Sequence, residues 1–181
     1  MMDLKPLTAA DAPEGSRETL SAVEKQLGFI PNILGIFAHA PAALNAYATI
    51  DGLLDRSSLD AAQKTTVLLA ASRQNGCGYC MAAHSAGAPL DEAALEALRE
   101  GKPLPDPKLE ALRRFTERVV DTRGYVEHAD IKAFLDAGFE QPQVLDVLTA
   151  VALKTLSNYA NHILETPLDT PLQQFAWRET G

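Results

Sequence analysis

Both cysteines of this 181-residue chain and one of its four histidines fall in a single run, Cys77-Gly78-Tyr79-Cys80-Met81-Ala82-Ala83-His84. On a helix, positions three and four apart share a face, so Cys77, Cys80 and His84 would project together. A thiolate to attack, a second thiol to resolve the product and a base beside them make a minimal centre for two-electron redox chemistry. Asn75 would cap such a helix, and the dipole of its N-terminus would favour a thiolate at Cys77. Gly76 and Gly78 would let a second molecule's thiol come close to Cys77. A structural zinc site needs four ligands, and no further cysteine or second paired motif is available to complete one. The redox reading is therefore preferred over a metal clip or an inert buried pair, with no metal and no cofactor required.

The elements that must position these groups read as helices. Leu20, Val23 and Leu27 keep helical spacing and Gly28 and Pro31 stop them. Leu44, Tyr47, Asp51 and Leu54 share a stripe on a second helix. The stretch from Asp60 to Gln74 carries Val67, Leu68, Leu69, Ala70 and Ala71, apolar nearly all round, and so predicts a buried helix. Asp106 and Pro107 make an N-cap and first helical residue for Leu109, Leu112, Phe115 and Val119. Ile131, Phe134 and Leu135 form a shorter helix ended by Gly138. Pro142 opens the longest, with Val144, Leu145, Leu148, Val151, Ala152, Thr155, Leu156 and Tyr159 on one wide apolar face. No segment alternates as a strand does. The expectation is an all-α single domain over 1–181, with 166–181 a C-terminal arm reaching a partner subunit because Leu172, Phe175 and Trp177 need cover.

Composition bounds the function. Hydrophobic residues are 46% and charged residues 22%, the range of a globular protein. A net charge of −8 argues against a nucleic-acid partner, which wants a basic surface. No apolar run approaches the ~20 residues that span a bilayer, and the first residues carry no signal pattern. A close cysteine pair without a disulfide framework reads as cytoplasmic.

The run from Ser72 to Ser85 resembles the core motif of the alkylhydroperoxidase D-like, carboxymuconolactone decarboxylase superfamily. Leu27-Gly28-Phe29-Ile30-Pro31-Asn32 with Ala38-His39-Ala40-Pro41, and Asn158-Tyr159-Ala160-Asn161-His162 with Thr166-Pro167-Leu168-Asp169, resemble the flanking signatures of its peroxidase-related branch. The resemblance implies an all-helical bundle that forms homo-oligomers and reduces hydroperoxides, with an external dithiol as reductant. It also implies Cys80 as the peroxidatic cysteine, Cys77 as the resolving one and His84 in the proton relay. The family relay commonly starts at a glutamate twelve residues before the first cysteine, where this chain has Thr65. Threonine cannot accept a proton at neutral pH. Either His84 and water suffice or another acid substitutes, with Glu165 the candidate on the last long helix and Asn158, Tyr159 and His162 as candidate pocket residues. The missing carboxylate favours one alternative to peroxide reduction, a dithiol–disulfide oxidoreductase with little peroxidase turnover. A third reading, from another class, is a non-catalytic helical oligomer with a structural cysteine pair.

Overall fold

A computed structural model describes residues 4–178, and among them the chain forms nine α-helices, one closing 3-10 helix and no strand. The helices are α1 (Glu14–Leu27), α2 (Asn32–Phe37), α3 (Pro41–Leu54), α4 (Ala61–Gln74), α5 (Gly78–Ser85), α6 (Glu92–Glu100), α7 (Pro107–Asp121), α8 (His128–Asp136) and α9 (Gln143–Leu164), followed by the 3-10 helix Thr170–Phe175. No helix among the described residues is long and apolar enough to cross a membrane.

The boundaries follow from local chemistry. Asp60 caps α4 by accepting from the Gln63 amide at 2.8 Å, while the Gln63 side chain accepts from the Asp60 amide. The two bonds are reciprocal and satisfy two amides that the helix itself cannot. Asp106 caps α7 through the amides of Lys108 and Leu109, as an aspartate at that position should. Gly28 ends α1 in the left-handed region at φ 80°, where a side chain would be strained.

The apolar, capped α4 becomes the hub, packing against α5, α6, α7 and α9. One core lies where α3, α4, α7, α8 and α9 meet. Its centre is Phe134, fully buried with its ring 4.5 Å from Phe115 and stacked 4.4 Å from Phe139. A second core gathers Leu20, Ile33, Leu34, Phe37 and Leu44 around Cys77, Tyr79 and Cys80. The cysteines thus sit in packed interior rather than on a surface loop.

Helix α9 corrects the expected phase. Its buried seam is Val147, Ala150 and Leu153 continuing into Lys154, Ser157, Asn158 and Asn161. Leu145, Leu148 and Tyr159, expected on the apolar core face, point outward with Ile163 and are 40–68% exposed. The helix is 22 residues long and apolar on two sides, and a single copy can bury only one of them.

The C-terminal segment folds back on its own chain as far as it is described. Leu172 is buried and the 3-10 helix packs on α5. The Arg99 guanidinium donates to the carbonyls of Phe175 and Ala176, and the Trp177 indole donates to the Arg99 carbonyl at 2.8 Å. Asp169 pins the segment's start, accepting from the Tyr79 hydroxyl at 2.5 Å and from the Asn32 amide at 2.9 Å. Residues 179–181 of the expected arm lie outside the described residues.

Candidate functional site

Helix α4 ends at Gln74, the chain turns through Gly76 at φ 68°, and α5 starts at once. A glycine takes this positive φ without strain, so a short corner can hold α5 against the hub. Asn75 does not cap α5. It closes α4, and its side-chain amide donates to Asn158 Oδ1 at 2.9 Å. The Asn158 amide reaches back to Ser72 Oγ at 3.5 Å. This buried polar seam ties α9 to the corner and fixes where α5 begins.

Cys77 takes the N-cap position of α5, and Cys80 is its third residue. Both are free thiols and both are buried. The Asn161 amide lies against the two sulfurs together, 3.2 Å from Cys80 Sγ and 3.7 Å from Cys77 Sγ. Ser157 Oγ lies 3.8 Å from Cys80 Sγ.

The electrostatics separate the thiols. A hydrogen bond from Cys77 and the nearby Lys154 ammonium, against the opposing effect of burial, hold Cys80 well below the ordinary thiol range. Hydrogen bonds and opposite charges favour the ionised form in this way wherever they outweigh desolvation. The same bond, burial and the Cys80 charge push Cys77 far up. The dipole-based expectation of a thiolate at Cys77 is therefore corrected. Cys77 is the donor that stays protonated, and Cys80, inside the first helical turn and facing a cation, carries the charge. The expected room beside Gly78 is also already taken. A Cβ there would meet the Trp177 carbonyl oxygen at 3.0 Å, because the C-terminal segment passes over it.

Cys80 opens onto a cavity of about 300 Å³. Its wall is mostly apolar, from Phe29, Ile33, Leu34, Tyr47, Tyr79 and Leu172, with His84, Lys154, Ser157 and Asp51 as the polar groups. A larger groove of about 390 Å³ between α7 and α8 is lined by Glu110, Arg114, Arg118 and Asp130 and contains no nucleophile.

His84 shares the cavity with Cys80, as the motif spacing predicts. Its Nε2 faces Lys154 Nζ at 2.8 Å, and burial together with that cation drives its pKa well down, so the ring is neutral. Lys154 itself is 1% exposed. Burial alone would lower its amine, but attraction to the neighbouring Cys80 sulfur, above all, raises it above the ordinary lysine value.

The other sequence candidates separate. Asn158 is buried behind the cysteines, does not line the cavity, and both supports the corner and hydrogen-bonds Cys80, helping to hold its pKa down. Thr65 is half-buried on α4 and not part of the cavity wall. Tyr159, His162 and Glu165 are exposed on the outer side and end of α9 and do not meet the cysteines in this chain. Tyr159 and His162 stand one or two residues along from the buried Ser157–Asn161 seam, and that step turns a side chain off the shared face. Glu165 lies just past the end of the helix, where the backbone turns left-handed at φ 48°. The carboxylate at the cavity is Asp51, exposed at its mouth and raised by desolvation and by Asp55, against the pull of Lys154 and Lys64.

Sequence reasoning missed Lys154 and Ser157, and met Asn161 only as part of a flanking signature and its polar cluster. The signal was present in the chain. With Asn158 they fall at i, i+3, i+4 and i+7, a polar strip inside an otherwise apolar helix. Among the described residues, no group of three or more His, Cys, Asp and Glu side chains is arranged to hold a metal ion.

Residues 38–100 match the carboxymuconolactone decarboxylase family. No protein of curated function matches the sequence. In fold, the chain is similar to the alkylhydroperoxidase AhpD core of an uncharacterised peroxidase-related protein from Ralstonia eutropha JMP134, at a TM-score of 0.81 and 21% identity, covering 95% of this chain and 96% of that one. It is similar to a peroxidase-related protein from Silicibacter sp. TM1040, at a TM-score of 0.77 and 20% identity, covering 93% of each. It is also similar to the debrominase Bmp8 in complex with 2,3,4-tribromopyrrole, at a TM-score of 0.80 and 14% identity, covering 97% of this chain and 96% of that one. The family match over residues 38–100, the cysteine motif inside it and the shared helical architecture agree: the chain has the alkylhydroperoxidase D-like fold.

Proposed function

We propose that the protein is a thiol-dependent peroxidase that reduces hydroperoxides at Cys80 and is returned to its dithiol form by an external dithiol. The observation that carries this reading is the unequal pair: one amide touches both sulfurs, and their surroundings push Cys80 toward thiolate and Cys77 toward thiol. The Cys80 thiolate attacks the distal peroxide oxygen and becomes a sulfenic acid. Cys77 keeps its proton and condenses with that acid, forming the disulfide and releasing water. The external dithiol then reduces the disulfide by exchange, which suits a reducing compartment such as the cytoplasm.

The test is thiol counting with mass spectrometry after one equivalent of organic hydroperoxide. Both thiols should disappear together as an intrachain disulfide. Cys77→Ser should instead accumulate a sulfenic acid at Cys80, trappable by a dimedone-type reagent. Two thiols that stay open to alkylation after peroxide would rule the reading out. Thr65 supports a second reading, dithiol–disulfide exchange with little peroxide turnover. It would be favoured if a disulfide reagent oxidises the pair rapidly and hydroperoxide does not.

The outward apolar side of α9 supports the homo-oligomer that the family resemblance implies. Ile163→Glu and Leu145→Glu should lower the sedimenting mass toward that of one 19.5 kDa chain. An unchanged mass in both variants would place any subunit contact elsewhere.

A further inference from the structure

Lys154 is a cation in the wrong place for stability alone. It projects from the core-facing side of α9, is 1% exposed, and forms no salt bridge among the described residues. Its ammonium lies 2.8 Å from the His84 ring nitrogen and also hydrogen-bonds Cys80. A buried ammonium without a carboxylate is costly, and an apolar residue of similar length would fill the space more cheaply. Its surroundings are those of a reaction centre: it lines the cavity together with Cys80, His84, Tyr47 and Asp51.

The reaction has an unfilled requirement at that point. Breaking the O–O bond of an alkyl hydroperoxide releases an alkoxide, a strongly basic leaving group that needs a proton. His84 is neutral and its Nε2 is turned to Lys154, so it offers the cavity no acidic proton. The Ser157 hydroxyl bonds back to the Leu153 carbonyl. The Tyr47 phenol and the exposed Asp51 carboxyl make no hydrogen bond to Cys80, whereas the Lys154 ammonium does. Cys77 also bears a proton beside Cys80 but needs it for the later condensation, which leaves the Lys154 ammonium for the alkoxide.

We propose that Lys154 is the catalytic acid of this centre, giving its proton to the departing alkoxide, with His84 as the positioning residue that holds the ammonium toward the cavity. The proposal rests on the two-cysteine reading above. An electron pair from the Cys80 thiolate forms the S–O bond to the distal oxygen as the O–O bond breaks. The sulfur is oxidised by two electrons and the peroxide is reduced. The alkoxide takes the proton from Lys154, leaving an alcohol, a sulfenic acid at Cys80 and a neutral amine at Lys154. Cys77 brings its own proton to the condensation that releases water. When the external dithiol reduces the disulfide, its two protons return the centre to thiol, thiolate and ammonium. Where the family commonly places an acidic residue in the relay, this chain uses a cation from another helix.

The experiment compares two oxidants of similar size. Peracetic acid releases a carboxylate, which needs no proton, whereas tert-butyl hydroperoxide releases an alkoxide, which does. In the wild-type chain both should form the Cys77–Cys80 disulfide. Lys154→Met also removes a charge from beside Cys80, a loss common to both oxidants. The ratio of the tert-butyl hydroperoxide rate to the peracetic acid rate should nevertheless fall by about 100-fold, within the usual contribution of general acid catalysis. An unchanged ratio would overturn the assignment and leave Lys154 acting only through its charge. A wild-type chain that forms no disulfide with either oxidant would overturn the redox reading itself. If Lys154→Met does not fold, the wild-type chain answers alone. Across a series of hydroperoxides and peracids, its rate should depend less steeply on the basicity of the leaving group than that of free cysteine thiolate. An equal slope would overturn the proposal.

Discussion

Cys80→Ser should remove hydroperoxide reduction altogether, lowering the rate by about 10⁴-fold or more, the scale on which removal of an enzyme's nucleophile is felt. Cys77→Ser should instead abolish turnover while leaving one rapid oxidation per chain. The asymmetry follows from the opposite displacement of the two thiols. It also fixes the pH dependence. A thiol whose pKa is depressed in the folded chain stays ionised as the pH falls through the ordinary thiol range, and protonates only below its own lowered value. Alkylation of Cys80 should therefore stay fast at neutral pH and slow only on the acid side, while alkylation of Cys77 should stay slow even in mild alkali. Stopped-flow peroxide kinetics and pH-resolved alkylation with peptide mapping measure both. Equal alkylation of the two thiols at neutral pH would contradict the assignment.

Phe134→Ala should be the most damaging substitution outside the site. The ring is fully buried between Phe115 and Phe139, so removing it leaves a cavity that two flanking aromatics cannot close. Such truncations cost about 3–5 kcal/mol, a large part of the ~5–15 kcal/mol that holds a domain folded. The melting temperature should fall by roughly 6–20 °C for a chain of this size. Phe134 belongs to the core of α7, α8 and α9 and does not line the cavity. The rate of Cys80 oxidation per folded chain should thus remain that of the wild type. A melting temperature within a few degrees of the wild type would mean that the site repacks.

Much of the scaffold is legible because local chemistry and periodicity agree there. Asp106 with Pro107, Gly28 and Gly138, and the apolar run of α4 all mark elements that form where they point. The short helices α2 and α6 are harder to read, since one or two turns carry too little periodicity to distinguish them from loop. Helix α9 is legible as a helix but not in phase. Leu145, Leu148 and Tyr159 are as apolar as the seam that is buried, and only tertiary packing decides which side turns inward. The motif places Cys80 and His84 in one cavity because its partners are close in sequence. Lys154 and Asn161 reach the same place from seventy or more residues away, and no local pattern says which sulfur a distant side chain will touch.

The span between Cys80 and Asn161 also governs when the centre comes alive. The cysteines leave the ribosome well ahead of the amide that meets both sulfurs, with Cys80 preceding it by 81 residues. That is a wait of roughly 4–16 s at ~5–20 residues per second. Lys154 and the clasp at Asp169 are likewise made late. Until α9 docks, neither the cation nor the amide is present to favour ionisation of Cys80, so the nascent thiols behave as ordinary cysteines. The activated form of Cys80 is thus withheld until α9 has been made and has docked.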